Sequence, residues 1–265
     1  MTSKITVLVE NTARENSPLR AEHGLSLFVE TPENAVLFDC GHTGLAWKNA
    51  AALGIDLRKV SSVILSHSHY DHAGGFPSLL TYCQPGRIYT GQNFWLEKFS
   101  YDQEGKTYLA KGCGFSPADL SRWQIDQQVC GDFLSLDSYA ALCTDFPRHY
   151  PFEQIPEKFC RGPQKEPDPF DDEICLLLPE GEDLAMVVGC SHRGILNMVT
   201  AVKARTGKRV VRIVGGIHLS QASPEQRQRT LRELAALGVQ KLNLCHCSGT
   251  AVPGRITTGT VLEWN

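Results

Sequence analysis

The stretch Ser66-His67-Ser68-His69-Tyr70-Asp71-His72-Ala73-Gly74-Gly75 decides how this chain is read. It places three imidazoles and a carboxylate within six residues, directly after the apolar run Val63-Ile64-Leu65. That run is short and β-branched, which predicts a buried strand, and Gly74-Gly75 then lets the chain turn into a helix over the apolar segment 76–80. The cluster therefore falls on a strand-to-helix turn. On an extended segment His67 and His69, two residues apart, point to the same side and can grip one ion. Asp71 and His72 follow where the chain turns, and from there they can serve a second ion about 3.5–4 Å away, the spacing of two-metal hydrolytic sites.

A single histidine is ordinarily a surface residue or a satisfied core residue. Four ligand-type residues in the order His-x-His-x-Asp-His at the end of an apolar strand are a different signal. This order resembles the signature of the metallo-β-lactamase-fold superfamily, whose members run from β-lactamases through glyoxalase II to RNA-processing nucleases. The motif is specific for that fold and says little about substrate. The resemblance implies an α/β fold, a four-layer αββα sandwich with metals at its edge.

Composition agrees with one compact enzyme domain spanning 1–265. A chain of 265 residues with 42% hydrophobic content can bury a full core. Its formal net charge of −3 lacks the basic footprint of a nucleic-acid or anionic-membrane binder, so neither partner is expected. The first strand, 5–9, is too short for a signal segment or a spanning helix, and a cytoplasmic location is expected. Ten scattered cysteines without a Cys-x-x-Cys pair read as reduced, buried thiols. Oligomeric state stays open, a homo-oligomer included.

From the amino terminus, segments 5–10, 25–30 and 35–38 read as strands of an antiparallel meander, with the turn Thr31-Pro32-Glu33-Asn34 between the last two. Asp39-Cys40-Gly41 follows directly; in the resemblance this Asp-x-Gly supports the metal loop from behind. Glu22-His23-Gly24-Leu25-Ser26 is similar to an element of one branch of the superfamily, the dihydropterin-synthase-like branch named after a methanopterin-pathway enzyme. It makes His23 a candidate for substrate contact. A helix over 45–53 ending at Gly54, and a strand at 87–89, complete the first half.

From about 97 to 168 the pattern loses regularity. Six prolines and short apolar pieces such as Phe133-Leu134-Ser135-Leu136 predict an insertion with some order of its own, packed over the site as a lid or cap. His149 is the one histidine in it and a candidate for substrate contact.

The second half restores strand, turn and helix. Gly189-Cys190-Ser191-His192-Arg193-Gly194 follows the strand 184–188 and opens a helix at 195. Many superfamily members place Gly-Asp at such a turn, the carboxylate bridging two metals, whereas Gly189 is followed here by Cys190. The branch just named has a Gly-Cys-Ser-His-x-Gly element, which implies that His192 is a metal ligand. Cys190 is a thiolate ligand or, preferred, a structural residue. Asp171-Asp172-Glu173 could replace the missing carboxylate, but such a run is usually exposed charge. His218, after Gly215-Gly216-Ile217, is a ligand or a hydrogen-bond partner of substrate. A helix from Ser223-Pro224-Glu225 to Leu237 precedes the last strand, which delivers Cys245-His246-Cys247. His246 resembles the family's last metal histidine.

The expected ligands are thus His67, His69 and His192 on one side and Asp71, His72 and His246 on the other. Imidazoles with a carboxylate suit one or two zinc ions best, with iron or manganese as alternatives. The expected function is a metal-dependent hydrolase in which a metal-activated water, oriented by Asp71, attacks a small-molecule ester, thioester, amide or phosphoester. Two alternatives remain: a transferase or synthase acting on a dihydropterin-like phosphorylated substrate, and a non-catalytic metal-binding module.

Overall fold

The computed structural model describes residues 2–102 and 107–265. Strands β1 (Ser3–Val9), β2 (Ser26–Glu30) and β3 (Ala35–Phe38) form the expected antiparallel meander. Helix α1 (Leu45–Ala52) carries the chain over to β4 (Val60–Ile64), parallel to β3. Short helices α2 (Tyr70–Ala73) and α3 (Phe76–Leu79) lead to β5 (Arg87–Thr90), again parallel. Next come β6 (Lys98–Tyr101), β7 (Tyr108–Ala110), α4 (Pro117–Trp123), β8 (Asp126–Val129), β9 (Phe133–Ser135), β10 (Ala141–Cys143), β11 (Phe159–Arg161) and β12 (Glu166–Pro167). The hairpin of β13 (Cys175–Glu180) and β14 (Asp183–Val188) precedes α5 (Ile195–Thr206), β15 (Val210–Gly215), α6 (Pro224–Ala236), β16 (Lys241–Leu244) and β17 (Val261–Trp264).

Two large sheets result, one ordered β17-β1-β2-β3-β4-β5-β8 and the other β16-β15-β14-β13-β10-β9. Period-two alternation along the strands explains why they stack. Leu27, Val29 and Phe38 face Leu176, Leu178 and Val187 across the centre, while Phe28 and Leu37 point outward. The outward set packs with Leu45, Ala46, Ala50 and Phe76 of the first sheet's helices. On the far side Met186, Val188 and Ile213 pack with Met198, Val199 and Val202 of α5 and Leu234 of α6. Three apolar layers between four structural layers make the αββα sandwich of the metallo-β-lactamase fold. Strands covered on both faces read as continuous apolar runs, which is how they are recognised in sequence.

The segment 97–168 departs from the expected cap. Only β6, β7, β11 and β12 form a separate four-stranded sheet over the site. Strand β8 pairs with β5 in the first large sheet, and β9 and β10 extend the second through β13. Leu142 and Cys130 lie in the central layer. The prolines and short strands hid this, because a three- or four-residue edge strand has no resolvable period. All ten cysteines are buried and free of disulfides. No helix among the described residues is long and apolar enough to cross a membrane.

Candidate metal centre

The carboxyl ends of β4, β14, β15 and β16 open at one edge of the sandwich, and each delivers a histidine-bearing turn. After β4 the chain bends through 66–68, is extended again at His69 and then enters α2, so Asp71 and His72 lie in its single turn. The turns are tight. Asp39, Ser191, His218 and His246 all have φ between 50° and 58°, a left-handed conformation that costs energy in non-glycine residues. Four such residues at one edge mark a built site.

Donor atoms of His67, His69 and His192 converge within 4.8 Å of one another. The Nε2 atoms of His67 and His69 and both ring nitrogens of His192 are buried without a hydrogen-bond partner. Burial, reinforced by neighbouring imidazoles, holds His67, His69 and His192 well below the ordinary histidine pKa, so they are neutral. Buried, neutral and unpartnered nitrogens facing one point are the chemistry of a cation site, and a divalent ion fits them.

Beside them, His72 Nε2 lies 3.1 Å from His246 Nε2, and Asp71 Oδ2 lies 3.4 Å from His246 Nε2 and 3.9 Å from His72 Nε2. Burial opposes ionisation of Asp71, but His72, His23 and His246 outweigh it and hold its pKa far below the carboxylate range. Burial likewise opposes protonation of His72, yet Asp39 and Asp71 raise it to about 9. A cation entering this triad displaces that proton.

Three buried carboxylates hold the ligand loops from behind. Asp39 accepts from the Ser66 amide and hydroxyl and contacts His72 Nδ1 at 2.6 Å. Asp172 accepts from the amide and hydroxyl of Ser68, between the two first histidines, and is paired with buried Lys98 at 2.8 Å. Glu173 accepts from the amides of His192 and Arg193.

A cleft of about 390 Å³ opens above both triads. Tyr70 and Phe159 line its sides, His23 and His218 lie beside the triads, and Lys111, Lys158 and Arg255 add three cations. Of the two acidic groups lining it, Glu10 is already bonded to Thr12 and to the His246 amide.

Comparison with known proteins agrees with this architecture. Residues 19–93 match the family model of the metallo-β-lactamase superfamily. The chain resembles Tm1679, a metal-dependent hydrolase of the β-lactamase superfamily, with 28% identity, coverage of 93% of this chain and 89% of that one, and a TM-score of 0.77. Over its full length the chain thus has the metallo-β-lactamase fold, and over residues 19–93 it is similar to the superfamily's sequence model. Among curated proteins it is 27% identical, over 93% of its length and 87% of the relative's, to 7,8-dihydropterin-6-methyl-4-(β-D-ribofuranosyl)-aminobenzene-5'-phosphate synthase of Methanocaldococcus jannaschii. A diphosphatase from the PhnP family shares the fold at 13% identity and a TM-score of 0.57, covering 100% of this chain and 98% of that one.

Within this metallo-β-lactamase fold the expected residues fare unequally. His67, His69, Asp71, His72, His192 and His246 converge, Asp39 lies directly behind them, and Cys190 Sγ comes within 3.2 Å of His72 Nε2. His23 Nε2 is 3.1 Å from Asp71 Oδ2, and the His218 ring centroid is 4.5 Å from that of His192. His149 lies outside the cleft with its side chain exposed, and its backbone amide donates to Asn197. The acidic run is a correction. Asp172 and Glu173 are buried clamps and not exposed charge, because the donors they satisfy come from chain turns 104 and 19 residues away. Lys98 went unnoticed, since no local pattern distinguishes a buried lysine.

Proposed function

We propose that this chain is a metal-dependent hydrolase acting on a small phosphorylated molecule, with zinc the first candidate ion. The observation that carries this is the pairing of the His67, His69 and His192 group and the neighbouring Asp71, His72 and His246 cluster with three cleft cations, Lys111, Lys158 and Arg255. His67, His69 and His192 would hold one ion, and Asp71, His72 and His246 a second. When bound, such ions lower the pKa of water towards about 7 and polarise a phosphoryl oxygen.

The chain's own residues supply the rest. Asp71, held ionised, accepts a hydrogen bond from the attacking water and fixes its direction. His23, hydrogen-bonded to Asp71 yet 59% exposed in its side chain, carries the released proton to solvent. Lys111, Lys158 and Arg255 attract and orient the phosphate, and Tyr70 and Phe159 offer flat apolar surface to the remainder of the substrate. An open cleft above the triads speaks against a non-catalytic metal-binding module, whose donors would close around the ion.

A second reading is favoured by the sequence likeness to the Methanocaldococcus jannaschii synthase. There the same cations would hold a phosphorylated dihydropterin-like substrate while an amine, in place of water, displaces the phosphate. One experiment separates the two. Purified without chelators, the protein is assayed for metal content, then for hydrolysis of phosphoesters, carboxylic esters and thioesters, and for condensation of a phosphorylated dihydropterin with an aryl amine. Hydrolysis lost in a Lys158→Ala, Lys111→Ala double variant supports the first reading, and condensation without hydrolysis supports the second. Protein that carries no metal sinks both.

A further inference from the structure

Lys98, at the start of β6, does not line the cleft, and its side chain is only 1% exposed. Its ammonium joins two buried carboxylates, Asp168 Oδ2 at 2.7 Å and Asp172 Oδ1 at 2.8 Å. Each carboxylate turns its other oxygen to a different arm of the three-histidine group. Asp172 Oδ2 accepts the amide and hydroxyl of Ser68 at 2.9 and 3.1 Å, between His67 and His69. Asp168 Oδ1 accepts the amide of Phe170 at 2.8 Å. The Phe170 ring in turn lies flat on His192, with centroids 3.8 Å and planes 14° apart, and Lys98 Nζ stands 4.8 Å from the same ring centroid. One cation is thus linked to all three histidines without touching any of them.

Stability alone does not account for this arrangement. Apolar side chains packed into the same space are often at least as stable as a buried group of charges, and Phe170 holds a left-handed φ of 53°, uncommon for a bulky residue. Position does account for it. A three-donor site needs its imidazoles aimed at one point, yet His67 and His69 come from the turn after β4 and His192 from the turn after β14. Glu173 fixes the backbone of His192, whereas Phe170 fixes its ring. We propose that Lys98 is a positioning residue: by holding Asp168 and Asp172 together it sets the aim of His67 and His69 against that of His192, and with it the affinity of this group for a cation. Main-chain bonds tie the cap to the metal loop independently of the side chain. The Lys98 carbonyl accepts the Lys111 amide, and the Lys111 carbonyl accepts the Tyr70 amide, each at 2.8 Å. Loss of the ammonium should therefore disturb the aim of the histidines more than the path of the chain.

The proposal rests on the metal-centre reading above, and binding of zinc alone to the full-length protein, followed by competition with a chromophoric chelator, tests the two separately. Lys98→Met nearly keeps the length of the side chain and removes its charge. Zinc affinity should fall about 10–100-fold, the usual consequence of losing a group that orients a ligand from behind. Two double-mutant cycles give the readout that a merely structural lysine would not move. Combined with His246→Ala, which spares the three-histidine group, Lys98→Met should keep its full effect. Combined with His192→Ala, which breaks that group, it should add almost nothing. Far-UV circular dichroism and a cooperative thermal transition establish that each variant is folded. Where Lys98→Met does not fold, Lys98→Met with Asp168→Asn, which leaves the net charge of the trio as in the wild type, carries the same cycles. Equal or reversed losses in the two backgrounds, wild-type affinity in a folded variant, or unfolding of both variants overturns the assignment and leaves the metal centre standing. A wild type that binds no zinc overturns both.

Discussion

Asp39 Oδ2 lies 2.6 Å from His72 Nδ1, and the other oxygen of the same carboxylate accepts the Ser66 amide at 2.7 Å. One buried side chain thus fixes the start of the ligand loop and the tautomer of a histidine six residues further on, leaving Nε2 free to face a cation. Asp39→Asn keeps an oxygen for Ser66 but gives up the charge that raises the basicity of His72. Metal affinity should fall about 10–100-fold, the usual consequence of losing a carboxylate behind a ligating histidine. Competition with a chromophoric chelator measures it, and unchanged affinity would show that Asp39 only braces the turn.

Asp71→Asn should cost more in turnover than in metal occupancy. The carboxamide keeps one oxygen and the neighbouring imidazoles retain most of the binding, whereas the charge that aligns the water is gone. Loss of one positioned catalytic group slows a reaction about 10²–10⁴-fold. His67→Ala, in contrast, should empty the three-histidine position, with turnover falling in step with occupancy. Elemental analysis beside initial rates compares the two; near-normal turnover in Asp71→Asn would remove the carboxylate from the mechanism.

Deleting residues 100–163 should unfold the protein rather than merely uncover its site. That cut removes β8, an edge strand of the first sheet, and β9 and β10, which complete the second. It also strips the central layer of Cys130 and Leu142. Loss of the cooperative thermal transition is the expected result, and a folded, metal-loaded deletion variant would contradict the sheet assignment.

Glu153 offers a pH-dependent prediction remote from the metals. Its carboxylate accepts from the amides of Leu196 and Asn197 at the start of α5, and burial, outweighing those hydrogen bonds and Arg148, raises its pKa from 4.5 to about 7. The folded state therefore keeps a proton that the unfolded chain has already released. Its stabilising contribution is complete below about pH 4.5 and is lost as the pH rises through 7. Glu153→Gln should flatten the decline of stability between about pH 5 and 8 by on the order of 1–3 kcal/mol relative to the wild type. Urea titrations across that range read the difference, and parallel pH profiles for the two proteins would refute it.

Much of the centre could be read from sequence because its first part is local. His67, His69, Asp71 and His72 lie within six consecutive residues, so this part of the donor set is visible along the chain itself. His192 and His246 also stand just past buried strands, but their expected role as ligands came from the family resemblance. The buried strands themselves were legible through continuous apolar runs such as Leu184-Ala185-Met186-Val187-Val188.

The long-range pairings had no such trace. Asp172 and Ser68 are 104 residues apart, and an acidic run in sequence looks the same whether water or a buried amide satisfies it. Lys98 between Asp168 and Asp172, the docking of β8 to β10 into the large sheets, and the exclusion of His149 from the cleft were likewise settled by what lies across the fold. The sequence by itself determined the buried strands and the local histidine cluster, since both follow from the hydrophobic period and the ligand order along a few consecutive positions, whereas the sandwich was what the family resemblance implied. Only the tertiary structure decided which carboxylates became clamps and where Cys190 stands, because hydrogen-bond satisfaction and burial are properties of distant segments brought together.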